Sequence, residues 1–283
     1  MPEEFTSSEP IQTRQAPDLT LKLYSLINKV AFSIRKKRRF SRSNYKEKAA
    51  WELHHLGNTI QLKLEELRNK YAVRFENTLD RGNSLENYHL LAILDQLSSQ
   101  WLWRPTHKIH VDVGSKNFYY ASCLAAFFNP QQLTGIELDA FGLYTNFHTR
   151  QSYAQYYIKK IKQARFLAED FCKYPDKADT LTFFYPFVIP EPLVRWDLPL
   201  SEFKPDTLFK KAFQVLNDDG QLLMINQGDE EYQAAKIILS ANGFVKMKSY
   251  HLKETLLARQ LTPIASLWKK QQNTHEVIPN AHT

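Results

Sequence analysis

The feature that most restricts the fold of this chain is a change of hydrophobic period between Trp101 and Pro105. Before it, apolar residues recur at helical spacing. After it, short β-branched and aromatic runs alternate with helical segments. Lys108–Val113, Leu133–Leu138, Arg165–Glu169, Thr180–Phe184, Gln221–Asn226, Phe244–Leu252 and Pro263–Lys269 read as strands. Between them lie a helix Phe118–Phe128 stopped by Asn129-Pro130, and a long aromatic-rich helix reaching about Gln163. Two more follow: one capped by Asp206 and running through Leu216 to a turn at Asp219-Gly220, and one capped by Asp229 and ending at Asn242-Gly243. A parallel strand pair needs a crossover of this kind, so the expected fold class is α/β with a mostly parallel seven-stranded sheet. Only the last two strands lack a helix between them, which predicts an antiparallel pair at one edge.

Residues 18–104 read as an N-terminal helical region ahead of the α/β unit of residues 105–270. Asp18 is placed to cap a helix in which Leu19, Leu23, Leu26, Ile27, Val30 and Ile34 share one face. Asn44 followed by Glu47 resembles a capping box that opens a second helix. Its seam, Ala49, Leu53, Leu56, Ile60, Leu64, Leu67 and Tyr71, suits packing against one or two partner helices. Gly82-Asn83 breaks it, and Ser84 starts a third helix carrying Leu85, Tyr88, Leu91, Leu94 and Trp101. The region is either a cap folded onto the α/β unit or an arm for a homodimer. Residues 1–17 and 271–283 are polar and are expected to be a disordered lead-in and tail.

Composition excludes several classes. With 43% apolar and 13% aromatic residues the chain can bury a sizeable core, and two cysteines, Cys123 and Cys172, cannot form a disulfide framework. Buried free thiols fit a reducing compartment, so the cytoplasm is expected. Met1-Pro2-Glu3-Glu4 does not read as a secretory signal, and no apolar run approaches the ~18 residues of a membrane span. The net charge of +7 is concentrated in Arg35-Lys36-Lys37-Arg38-Arg39, with Arg42 close behind. Such a block attracts the phosphates of nucleic acid or of anionic lipid, the lipid version laying the Leu19–Ile34 face on the membrane surface. Its plainer reading is a solvated helix C-terminus.

Five small motifs follow one another over residues 105–270. Asp112-Val113-Gly114-Ser115-Lys116-Asn117-Phe118 is a strand end and turn; Glu137 in Gly135-Ile136-Glu137-Leu138-Asp139 ends the second strand; Glu169-Asp170-Phe171 ends the third; Tyr185-Pro186-Phe187 follows the fourth; Asp218-Asp219-Gly220 leads into the fifth, which ends at Asn226-Gln227-Gly228. In this order they resemble the class I S-adenosylmethionine-dependent methyltransferases, a Rossmann-like family. The resemblance implies S-adenosylmethionine as cofactor. It implies a cofactor turn at Asp112, Gly114, Ser115 and Lys116, with Lys116 and Phe118 standing where the family has its later glycines. It implies that Glu137, beside Leu138, holds the ribose, as a carboxylate can accept both hydroxyls. Asp170 would meet the adenine amine with Phe171 beside the ring, and Tyr185 would face cofactor and acceptor without the amide or carboxylate that orients an amine. A dinucleotide dehydrogenase would want Gly-x-Gly-x-x-Gly, which Gly114, Lys116 and Tyr119 do not supply.

Ligands of open α/β sheets sit beyond the carboxyl ends of the strands, which marks His148, Arg150, Arg195 and Trp196 as substrate candidates. Tyr185 and His148 are the catalytic candidates. The nine histidines, the His54-His55 pair included, show no metal-ligand spacing, so no metal is expected. Methyl transfer needs none, because the sulfonium is already activated and the main task is alignment. Three readings stay open: a methyltransferase of unknown acceptor, a non-catalytic binding or scaffold protein of the same fold, and a nucleic-acid- or membrane-surface protein anchored by Arg35–Arg39.

Overall fold

The computed structural model describes residues 18–271 except 41, 43, 54, 55, 104, 106, 107 and 254. The lead-in 1–17, the tail beyond Gln271 and the His54-His55 pair therefore lie outside the described residues. Three long helices come first: α1 (Leu19–Arg38), α2 (Asn58–Tyr71) and α3 (Arg81–Trp101). The α/β unit then runs β1 (Ile109–Val113), α4 (Ala121–Phe128), β2 (Gln132–Ile136), α5 (Arg150–Ile158), β3 (Ala164–Leu167), β4 (Ala178–Phe184), α6 (Pro190–Arg195), α7 (Pro205–Val215), β5 (Leu216–Asn226), α8 (Asp229–Ala241), β6 (Phe244–His251) and β7 (Ile264–Lys270).

The seven strands form one sheet in the order β3-β2-β1-β4-β5-β7-β6. β1 to β5 are parallel, and β7 inserts antiparallel between β5 and β6. The expected antiparallel pair is present, with β6 at the edge and β7 inside it. The chain winds outward in opposite directions from β1 and β4, so a crevice opens at their carboxyl ends. Val111, Val113, Leu181 and Phe183 pack on one face with Phe209 of α7 and Leu239 of α8. The opposite face shares a core with the helical region, Leu64 and Leu67 of α2 and Leu91, Leu94 and Leu97 of α3 joining Phe118, Leu124 and Leu133.

Several boundaries differ from the sequence reading, each for a local reason. No helix begins at Asn44. Asn44 and Trp51 both take left-handed φ (61°), and Ala50 and Trp51 donate backbone N–H to Leu79 and Glu76 carbonyls. Glu47 is no capping-box partner: its carboxylate accepts from Asp80 N (2.6 Å), Asn83 Nδ2 (3.1 Å) and Tyr157 Oη (2.5 Å), tying this segment to α3 and α5. α2 starts only after Gly57. α3 starts at Arg81, because Asp80 accepts from Asn83 N and places Gly82 and Asn83 inside the first turn. α5 is short, capped by Thr149 at the Ser152 N–H, and residues 137–149 form turns ahead of it. Asp206 lies inside the first turn of α7 behind Lys204 and Pro205, and Asp229 is the first residue of α8, after Gly228.

α1 also departs from expectation. It buries Asn28 and Phe32, while Leu19, Leu23, Leu26, Ile27, Val30 and Ile34 stand exposed.

β2 carries a glycine where a parallel strand usually carries a branched side chain, because the Phe118 ring lies on Gly135. A Cβ there would meet ring carbons at 2.8 Å. Phe118 is fully buried and cannot swing aside. Gly135→Ala should therefore lower stability by about 1–3 kcal/mol in a denaturant titration, as overpacking does.

Candidate active site

A cavity of ≈ 470 Å³ opens at the carboxyl ends of β1, β2 and β4, within the size range of small-molecule sites. Gly114, Lys116, Glu137, Leu138, Arg150, Asp170, Phe171, Tyr185 and Trp196 all line it. Sites scattered over 83 positions of the sequence thus meet at one crevice.

The turn after β1 has the backbone shape of a glycine-rich loop with few of its glycines. Gly114 (φ 75°), Lys116 (φ 54°) and Phe118 (φ 54°) are all left-handed. Gly114 and Ser115 donate N–H to the Ile136 carbonyl, and Phe118 N–H to Ser115 O. A side chain in this region costs ~1–2 kcal/mol per residue, so other contacts must hold it. For Phe118 these are the buried ring contacts with Gly135, Phe166 and Tyr120. The ring turns into the core beneath β2 and does not fill the cavity. Lys116 is held by its own N–H, which donates to Glu137 Oε2 at 2.8 Å, and its ammonium sits 4.7 Å from the Trp196 ring centre. Burial, and then Arg150, push the Lys116 pKa down, with Glu137 pulling the other way.

Glu137 is the hinge of this floor. Oε2 accepts from Lys116 N and Oε1 from Asp139 N, each at 2.8 Å. Arg150 Nη1 stands 3.6 Å from Glu137 and 3.4 Å from Asp139. Arg35 of α1 then grips Asp139 with both prongs, Nε to Oδ1 and Nη2 to Oδ2 at 3.2 Å. Burial raises the pKa of both carboxyls; Arg150 opposes this at each, and Arg35 opposes it at Asp139. A carboxylate has about four lone-pair positions, so the two backbone donors leave Glu137 acceptor capacity for a pair of hydroxyls.

Behind the turn, Asp112 is fully buried. Thr182 Oγ1 donates to its Oδ1 (2.6 Å) and Tyr120 Oη to its Oδ2 (2.8 Å), while His110 Nε2 lies 2.9 Å from the same threonine oxygen. Burial raises the Asp112 pKa to about 7, against these two hydrogen bonds. Ser115 is buried beside it, its Oγ without a hydrogen-bond partner. Asp170 both lines the cavity and caps the turn Phe171–Lys173, accepting from Cys172 N at 2.9 Å.

The other wall comes from elements that sequence reasoning did not assign to a site. Glu86 and His89, one turn apart on α3, line the cavity with Tyr119, Gln227 and Arg259. Arg259 Nη2 pairs with Glu86 Oε2 at 2.6 Å. His89 Nδ1 accepts from Leu257 N–H at 3.0 Å, which puts the neutral ring's proton on Nε2, an atom without a partner in the buried wall. Burial, and then Arg259, lower its pKa to about 4, so the ring is neutral near pH 7. Tyr185 is left-handed (φ 56°) just before Pro186, a strained turn tied to β5 by its N–H to Ile225 O. The available signal for Glu86 and His89 was a pair of polar side chains one turn apart beside the apolar Leu85, Tyr88, Leu91 and Leu94.

Four candidates do not line the cavity: Asp112 and Ser115 are buried behind the turn, and His148 and Arg195 lie elsewhere. His148 does not line the cavity; its Nδ1 bonds the Arg42 carbonyl at 2.9 Å and its ring meets Tyr45 edge-on. Arg195 is exposed at the end of α6 and does not line it either. Among the described residues no group of three His, Cys, Asp or Glu is arranged to hold a metal.

Two measurements test this geometry. The folded state raises the Asp112 pKa above its unfolded value near ~4, so it binds the extra proton and stability is lost as pH rises from ~4 through about 7. Asp112→Asn should therefore gain on the wild type across that window, by on the order of 2–4 kcal/mol in paired denaturant titrations at pH 4 and 8. Lys116→Gly should leave the melting temperature within a few degrees, whereas Lys116→Val, β-branched at φ 54°, should lower stability by about 1–2 kcal/mol.

No protein-family model and no curated protein sequence matches the chain. Solved structures do resemble it. The N-methyltransferase NodS from Bradyrhizobium japonicum WM9, in complex with S-adenosyl-L-homocysteine, is 14% identical with a TM-score of 0.47, over 76% of this chain and 100% of that one. Magnesium protoporphyrin IX methyltransferase (ChlM) from Synechocystis PCC 6803 is 11% identical with a TM-score of 0.44, over 92% and 100%. A SAM-dependent methyltransferase from Aquifex aeolicus is 13% identical with a TM-score of 0.46, over 62% and 88%. At such identities only architecture is compared. By its own strand order, parallel from β1 to β5 with β7 antiparallel between β5 and β6, the protein has a Rossmann-like α/β fold.

Proposed function

We propose that the protein is an S-adenosylmethionine-dependent methyltransferase whose cofactor binds over the turn Gly114–Phe118 and whose acceptor enters between α3 and Tyr185. The observation that carries this reading is the position of Glu137. A buried carboxylate with acceptor capacity to spare stands at the end of β2, bonded to the left-handed turn after β1, one strand from the β1–β4 junction where the strand order reverses. The residues present fit the group. Glu137 would accept the ribose hydroxyls and Asp170 the adenine amine, with Phe171 and Leu138 beside the base, and Lys116 would hold the carboxylate of the amino-acid end. When bound, S-adenosylmethionine supplies a methyl group already activated on a sulfonium.

The chain's own work is then alignment and exclusion of water. The strained turn at Tyr185 fixes the phenol in the crevice wall, where burial raises its pKa and keeps it protonated. His89 offers a hydrogen-bond donor from Nε2, and the Glu86–Arg259 pair bounds the opening. A donor imidazole and a phenol suit an acceptor that presents oxygen to the wall. The two free thiols support a reducing compartment, and we propose the cytoplasm.

Calorimetry tests the reading. S-adenosylmethionine and S-adenosylhomocysteine should bind with micromolar affinity. Glu137→Gln, which keeps the shape but offers one acceptor oxygen, should weaken both by roughly tenfold or more, since hydrogen bonds to a charged group are worth ~1.5–3 kcal/mol. Absence of binding at millimolar ligand would leave a non-catalytic scaffold of this fold.

A further inference from the structure

Helix α1 has two unlike faces, and the apolar one points outward. Its inner face is held by specific contacts. Asn28 Nδ2 donates to the Val194 and Leu198 carbonyls (2.9 and 3.2 Å), Leu200 N–H donates to Ser25 Oγ (2.8 Å), Phe32 packs with Leu193 and Val194, and Arg35 grips Asp139. The opposite stripe, Leu19, Leu23, Leu26, Ile27, Val30 and Ile34, is between 52% and 83% exposed. A surface helix normally turns such a stripe to the core, and a run of large apolar residues left in water marks an interaction surface.

Charge decides what covers it. Lys22, Lys29 and Lys36 recur every seven residues along one edge of the stripe, all exposed, and Lys37, Arg38 and Arg39 close its C-terminal end. No Asp or Glu occurs between Leu19 and Arg38. The apolar surface continues past the helix, where Phe40 and Phe147 are 58% and 62% exposed and Arg42 N–H donates to Phe147 O. A second copy of this face would oppose the same cations with no acid to answer them. A nucleic acid would pair with the cations and leave the leucines in water. An anionic bilayer meets both, since the headgroup–acyl boundary takes the stripe and lipid phosphates take the ammonium groups that reach up along its edge.

We propose that α1 lies in the plane of an anionic lipid surface, stripe down. The inner face of the same helix rests on the 190–200 segment, whose Trp196 lines the crevice. Only α1 and that segment then stand between lipid and the cavity. The proposal does not depend on the methyltransferase reading, since it rests on residues outside the cavity.

The test is sedimentation of the full chain with unilamellar vesicles of phosphatidylcholine alone and of phosphatidylcholine mixed with phosphatidylglycerol. The anionic vesicles should bind at least about tenfold more protein, and the excess should fall in high salt. The double variant Leu26→Asp/Val30→Asp should lose vesicle binding with an unchanged melting temperature, because both side chains are exposed. Lys29→Glu/Lys36→Glu should lose the preference for anionic lipid. Equal indifference to both vesicles overturns the proposal, as does binding that survives the aspartate variant. A dimer in sedimentation velocity that the same variant dissociates, without vesicle binding, makes a second copy the occupant and also overturns it. So does retention on RNA that the glutamate variant abolishes and the aspartate variant leaves intact.

Discussion

The Glu137 carboxylate is the contact on which the rest of the crevice depends. One oxygen takes the N–H of Lys116 and fixes the turn after β1; the other takes the N–H of Asp139 and fixes the exit of β2. Arg150 then bridges Glu137 and Asp139, and Arg35 extends the chain of charges to α1. Two buried acids are answered by two guanidinium groups drawn from α5 and α1. Breaking one partner of such a set strands a buried charge, which costs far more than an exposed pair is worth. The N-terminal helix is therefore coupled electrostatically to the floor of the cavity although it lies 104 residues away in sequence.

Strand succession was the most legible level. Alternating periods at Lys108–Val113, Leu133–Leu138 and the later runs force crossovers, and crossovers force the parallel order. Glu137 was legible because a strand end is a fixed place relative to the crevice. Other features depend on contacts that no window of sequence contains. Asn44 and Glu47 look like a helix start, yet Glu47 finds its partners at Asp80, Asn83 and Tyr157. The stripe on α1 has helical spacing, and spacing tells which side is apolar without telling which side is covered. His148 has the right chemistry near the right strand, but it is spent on the Arg42 carbonyl.

The helical region is better understood as one wall of the site than as an appendage. α3 gives the crevice Glu86 and His89, and its leucines share one core with Phe118 and Leu124. The loop between β6 and β7 reaches across to complete that wall, Leu257 fixing the His89 tautomer and Arg259 pairing with Glu86. The parallel half of the sheet thus forms the floor, and chain from both ends of the sequence forms the opposite wall.

The turn at Gly114–Phe118 has an entropic consequence. Where glycine makes a left-handed turn, the unfolded chain is free to wander and a bound ligand must share the cost of stilling it. Here lysine and phenylalanine occupy those conformations, and the ring locked against Gly135 holds them there. The wandering is already reduced in the unfolded chain, and the strain is met by the core. A molecule settling on this turn meets a backbone that is ordered in advance, so its contacts are not diluted by the work of ordering the loop.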